Sequence, residues 1–479
     1  MDILNLVMKG IIGIDHHYAK KVSKKQDAPA IPGEPVCAIK GSGYRMGFST
    51  AEIMPNVESG RTFWIAGHGS GHKMEGIISP VYVSAVWTDC GNDEGMLWLS
   101  ADIIGLTRIE VEQIRQRILA SDVIKGCKLI NVSVTHSHSG IDTLGYWGKP
   151  IASVPLNGKD EEYMETLMSN CVKVSEEAYL ARKSGKLYDG RIEIKDGLFT
   201  KRGFIDKHEF LTRLRFAPDD GSPEIWLMNF GGHPNSLGGD NRMLSGEYPY
   251  FMREIIKEQK GANVLFTIGA IGGMDVAEQA EDRLECVKLQ GKMIAEKSFE
   301  ITDEKELEPE IKYVQQTFYM PVDNYVLTLL AIKHTMSFKA YPSKTSLTGV
   351  ATKSEMTYMT IGSQKFVFLP GESFVSTVYG SYMDADTAPT GKGGEINPAP
   401  LCEICGDSEI IAVGNSNDMT GYVVPPNDFI LNPTQPFLNG VKDKNGLNHY
   451  HETNSMGINT QGVLADEFSR LVNRMHAVQ

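Results

Sequence analysis

KLINVSVTHSHSG, residues 128–140, is an apolar alternating run that ends on two histidines one residue apart. In an extended chain successive side chains alternate faces, so Ile130, Val132, Val134, His136 and His138 are expected on one side. Two imidazoles side by side at a strand end, followed by Gly140, suit a site where one binds a metal and its neighbour moves protons. The same pair also fits two core histidines satisfied by hydrogen bonds. Just upstream, MLWLSAD (residues 96–102) reads as a strand, and Ile109, Val111, Ile114 and Ile118 recur near helical spacing. Strand, helix and strand make a βαβ unit, which sets an α/β class with mixed sheets and flanking helices.

At 479 residues the chain can bury a large core. Its formal charge of −13, from 47 basic and 60 acidic residues, argues against a binder of phosphate backbones, so nucleic acid is not expected as a partner. The first seventeen residues are apolar but interrupted by Asp2 and Lys9, with no basic leader or small-residue cleavage site. No signal peptide is read, no stretch reaches the roughly 18 apolar residues of a membrane span, and a cytoplasmic protein is expected. Seven scattered cysteines read as reduced thiols, and Cys402 and Cys405 form the one CxxC, without a second pair to make a metal site.

Three prolines, Pro29, Pro32 and Pro35, break up an N-terminal arm that is expected over residues 1–43, ahead of one long domain over 44–479. The charged segment ITDEKELEPEIK marks a subdomain break near 300–312. The loop IAGHGSGHKMEG, residues 65–76, sets His68 and His72 among glycines and fits either a tight turn or a close approach to a ligand. Tyr146 and Trp147 follow the histidine pair, placed to wall a pocket. Five apolar strands then end in loops that carry His136 with His138, His233, the run from Gly269 to Asp275, Glu372, and Tyr422. Ligands of α/β proteins gather at strand carboxyl ends, so these loops are candidates for one shared site. Two histidines and a carboxylate form a ligand set that leaves a zinc position open.

Those residues resemble the catalytic domain of neutral ceramidases, the non-lysosomal zinc amidases that cleave the N-acyl bond of ceramide. The resemblance runs from about residue 44 to the end. It rests on THSHSG at 135–140, GGHPNSLGGDNRMLSGEYP at 231–249, LPGE at 369–372, GYVVPP at 421–426 and HYHETNS at 449–455, in the family's order. It implies a ceramidase-like catalytic fold, with Zn²⁺ held by His136, His233, Glu372 and Tyr422. His138 takes the proton-handling role, Arg202 orients substrate, and Tyr450 is the second catalytic tyrosine, flanked by His449 and His451. The glycine-rich segment, with Gly272, contacts substrate, and there Asp275 stands where the family has serine. The family also carries an immunoglobulin-like C-terminal domain, whereas this sequence stops soon after its last motif.

The implied activity is hydrolysis of a linear N-acyl amide, either ceramide-like or a smaller soluble compound, by a water activated on zinc. Two rivals stand beside it. Metal-dependent phosphoester hydrolysis also uses histidines at strand ends, with two metals and bridging carboxylates. A non-catalytic binding protein would keep the fold, with Asp275 marking lost activity. The state of assembly is open between monomer and homo-oligomer.

Overall fold

The computed structural model describes residues 3–23, 28–150, 156–203, 206–332, 337 and 339–477. The expected βαβ unit is present: strand Gly95–Ala101, helix Arg108–Leu119 and strand Cys127–Val134, with the two strands parallel. It forms one end of a nine-stranded mixed sheet. From the other end the order is Asn263–Ile268, Ile225–Phe230, Phe210–Pro218, Lys183–Glu193, Tyr44–Glu52, Tyr82–Asp89, Gly95–Ala101 and Cys127–Val134, and Lys305–Glu306 also pairs with Lys183–Glu193. Both terminal pairs are parallel and every internal pair is antiparallel.

A second sheet runs Cys37–Lys40, Glu310–Val322, Val350–Ile361, Gln364–Phe368 and Ile411–Val413, with Tyr341–Pro342 added to Val350–Ile361. The segment read as a charged break is where the chain crosses from the first sheet to the second. The sheets pack face to face through Met46, Trp98, Leu227 and Leu265 of the first and Ile311, Met359, Phe366 and Phe368 of the second. Helices Arg108–Leu119 and Glu161–Leu180 cover one half of the outer face of the first sheet, and Glu247–Lys260 and Arg283–Phe299 the other half. The last helix, Thr460–Ala477, covers the second sheet through Leu464, Phe468 and Leu471.

Helix boundaries follow local chemistry. Asp160 and Asp282 cap their helices by accepting from the Tyr163 and Glu285 amides, and Gly261, at φ +66°, ends Glu247–Lys260 in the left-handed conformation that glycine adopts freely. Within the N-terminal segment, Ile3–Ser23 is a helix that the proline-based reading did not place. Residues 28–36 then lie against Glu310–Val322, with the Pro29 and Pro32 carbonyls accepting from Tyr319 and Gln316, before Cys37–Lys40 joins the sheet edge. Cys402 and Cys405 are buried free thiols in the short helix Leu401–Cys405, part of the core under the second sheet. No helix among the described residues is long and apolar enough to cross a membrane.

Candidate metal centre and active site

The alternation expected through His138 stops at Val134, where the strand ends. His136 takes φ +60°, a conformation uncommon outside glycine, and so leaves the plane of the strand. The histidine pair converges because of this turn. The Nδ1–H of His136 donates to the Ile104 carbonyl at 2.6 Å, which turns its Nε2 inward. The His138 amide donates to the Pro234 carbonyl at 2.9 Å, and Ser137 and Ser139 bond to Ser245 and Glu247. The two histidine motifs are thus stitched into one unit.

His233 repeats the arrangement of His136: its Nδ1–H donates to the Met274 carbonyl at 2.8 Å, leaving Nε2 free. Both bare nitrogens face the same carboxylate oxygen, Glu372 Oε2, at 2.9 Å from His233 and 3.4 Å from His136. His138 Nε2 lies 3.2 Å from His136 Nε2, and His138 Nδ1 is buried without a partner. His136, His138 and His233 are together a buried group able to hold a metal ion. Lone pairs converging with no proton between them repel unless a cation sits among them. The His233–Glu372, His136–Glu372 and His136–His138 separations are close to the roughly 3.3 Å expected of atoms sharing one tetrahedral zinc with bonds of about 2.0–2.1 Å. The donor set therefore fits the metal that the sequence implies.

Short pairings position the rest. Glu372–Ser373 lies parallel to Tyr422–Val423 with Glu372 directly opposite Tyr422, His233 bridges Asp275, and Gly272 bridges Phe374. Burial pushes the Glu372 carboxyl up, but the two imidazoles outweigh it and hold it well below the usual carboxylate range. Burial and then the Glu372 carboxylate push the Tyr422 phenol well above its ordinary value. Burial and the neighbouring imidazoles, His136 first, hold His138 neutral.

A cavity of about 350 Å³ opens over this cluster. His136, His138, His233, Glu372, Tyr422 and Tyr450 all line it. Tyr146 and Trp147 wall it as expected, in a loop pinned by the Asp142 carboxylate, which accepts from the amides of residues 144, 145, 146 and 147.

Three expected site residues stand elsewhere. Arg202 is fully buried behind the wall, donating to Glu452 Oε1 at 3.0 Å and to His451 Nδ1 at 3.2 Å, with His449 Nδ1 at 2.5 Å. Its place on the wall is taken by Lys201. Gly272 lies behind Glu372, where a Cβ would fall 2.7 Å from the Phe374 nitrogen. Asp275 is also off the wall; it binds Lys201 at 2.8 Å and Asn235 at 2.9 Å. The half-buried Lys201 and the buried Arg202 are adjacent in sequence, and a one-residue shift in a strand reverses the face, so sequence alone did not separate them.

His68 is the residue the sequence reading left open. It lines the cavity with its ring 4.9 Å from that of His138, its Nε2 unpartnered, and burial followed by the Lys201 charge lowers it to about 4. The signal was Gly67: at φ +106° a Cβ there would lie 2.6 Å from His138 Cα, so glycine lets this loop sit against the histidine. His72 only closes the turn, its carbonyl accepting from Ile65.

The sequence matches no family model and no curated protein. Solved structures do match. The neutral ceramidase from Pseudomonas aeruginosa superposes with a TM-score of 0.65 at 15% identity, over 91% of this chain and 75% of that one. A ceramidase complexed with C2 gives 0.63 at 14%, over the same shares. At such identity the likeness is one of architecture, and the architecture this chain adopts is that of the neutral ceramidases.

Proposed function

We propose that this protein is a zinc-dependent hydrolase of linear N-acyl amides. The observation that carries this is the convergence of the His136 and His233 Nε2 lone pairs on one Glu372 carboxylate oxygen, with His138 beside them, on the floor of a largely apolar cavity. His136, His233, Glu372 and Tyr422 would hold the ion. A divalent ion in such a site polarises a carbonyl and lowers the pKa of water from about 15.7 towards 7.

The chain's own residues do the rest. His138 is neutral and faces the same centre, so it accepts a proton from the attacking water and returns it to the leaving amine. The Tyr450 hydroxyl, on the cavity wall, stabilises the oxyanion. Arg202 acts at one remove, through His451, whose ring stacks on Tyr450 at 4.0 Å and meets Tyr422 edge-on at 4.7 Å. Glu372 is the single carboxylate among the converging atoms, where two-metal phosphoesterases use bridging carboxylates, and this favours amide over phosphoester hydrolysis.

The test is amine release from N-acyl amides of graded chain length by zinc-loaded protein. Turnover by wild type is expected, with kcat lowered about 10²- to 10⁴-fold by His138→Ala. Failure of zinc-loaded wild type to cleave any amide contradicts the proposal.

A further inference from the structure

Among the described residues, Lys201 is the one lysine or arginine on the cavity wall. It directly follows strand Leu198–Thr200, which pairs with Met274–Val276, and its amide donates to the Gly273 carbonyl at 2.9 Å. Its ammonium is fixed from behind: Asp275 Oδ2 lies 2.8 Å away, and the other Asp275 oxygen is held by Asn235. Asp275 in turn bridges His233 across the short parallel pairing, so the ammonium is set one strand away from the histidine cluster. An ammonium has three donors. Asp275 takes one, and the side chain lines the cavity together with Tyr450.

We propose that the substrates are N-acyl α-amino acids, whose free carboxylate is bound by Lys201 beside the scissile amide. The inference rests on the amide-hydrolase reading and narrows it. In such a compound a single carbon separates the amide nitrogen from the carboxylate carbon, so a group that reads the carboxylate must stand next to the reacting centre. Lys201 does so: it lines the same cavity as His68, His138 and His233. The acyl chain then lies along Leu144, Tyr146, Trp147, Leu327 and Met456. The cavity volume is at the small end of the roughly 300–1,000 Å³ of small-molecule sites. Water adds its hydroxyl to the acyl carbon as the C–N bond breaks, and its second hydrogen goes to the amine. The products are a carboxylic acid and a free amino acid.

The experiment compares kcat/KM for amide cleavage of an N-acyl amino acid and its methyl ester, which differ in that charge and one methyl group, on zinc-loaded protein. Wild type should favour the free acid by about 10- to 100-fold, the usual worth of a hydrogen bond to a charged group. Lys201→Met should bring the ratio to about one, and Lys201→Arg should restore most of it. Because Lys201→Met leaves Asp275 without its cation, the double variant Lys201→Met, Asp275→Asn is measured beside it and should show the same loss of preference. A wild type that cleaves both compounds equally overturns the inference and leaves the amide-hydrolase reading standing. So does a Lys201→Met variant that slows both equally, which would make Lys201 an oxyanion donor. Cleavage of neither compound, nor of any other amide, overturns both.

Discussion

At the scale of single residues, the most informative side chain is one that does not reach the cavity. Arg202 is wholly buried, its two terminal nitrogens bound to Glu452, His449 and His451, and burial followed by the Arg202 charge holds His451 well below its usual imidazole range. His451 is therefore a neutral plate against which Tyr450 and Tyr422 are set. Arg202→Lys keeps a charge but loses the planar fork, so kcat should fall while KM changes little, with about 1–3 kcal/mol of stability lost. Steady-state kinetics and denaturant melts check this. A raised KM with unchanged kcat would instead put Arg202 in contact with substrate. The motif residues His136, His138, His233, Glu372, Tyr422 and Tyr450 were legible in sequence because each sits just after an apolar strand or inside a dense polar motif. Which of two adjacent cations faces the cavity was not, since that depends on the face presented by a three-residue strand, Leu198–Thr200.

At the scale of elements, loops rather than strands assemble the site, and backbone conformation decides what meets. Gly67 and His136 both take positive φ, and the close approach of Gly67 to His138 brings His68 against the His138 ring. Gly67→Ala places a methyl group at strained φ and against His138, so a loss of about 1–3 kcal/mol and a fall in amide turnover are expected. Thermal melts and kinetics check both, and a variant as stable and active as wild type would show that the loop does not position His138. The five strand ends were legible because apolar runs stop abruptly at polar or glycine-rich text. The continued alternation read through His138 was not correct, because a periodic pattern carries no notice of the residue at which the chain turns out of the strand.

At the scale of the whole molecule, two sheets pressed together through Trp98, Phe366 and Phe368 carry five loops to one end of the fold. The parallel unit was visible from its period change, whereas the face-to-face packing joins segments hundreds of residues apart that no local pattern relates. That packing also buries carboxyl groups. Burial raises Glu247 to about 7, a rise that hydrogen bonds, Ser139 first, only partly offset, and burial likewise raises Asp428 to about 7 despite Arg202. A raised acid binds more protons in the folded than in the unfolded chain, so the stability it contributes is fully present below about pH 4.5 and is lost as pH rises through about 7. In the metal-free protein the stability of Glu247→Gln relative to wild type should therefore rise by up to about 3 kcal/mol between pH 5 and 8. Denaturant unfolding at stepped pH reads this directly, and an unchanged slope in the variant would refute it. The central claim, that these loops build a metal centre, is tested most directly by elemental analysis of protein purified without chelator, for wild type and for the double variant His136→Ala, His233→Ala. About one zinc per chain, absent from the variant, is the predicted result. No bound metal in wild type, or equal metal in both proteins, would contradict it.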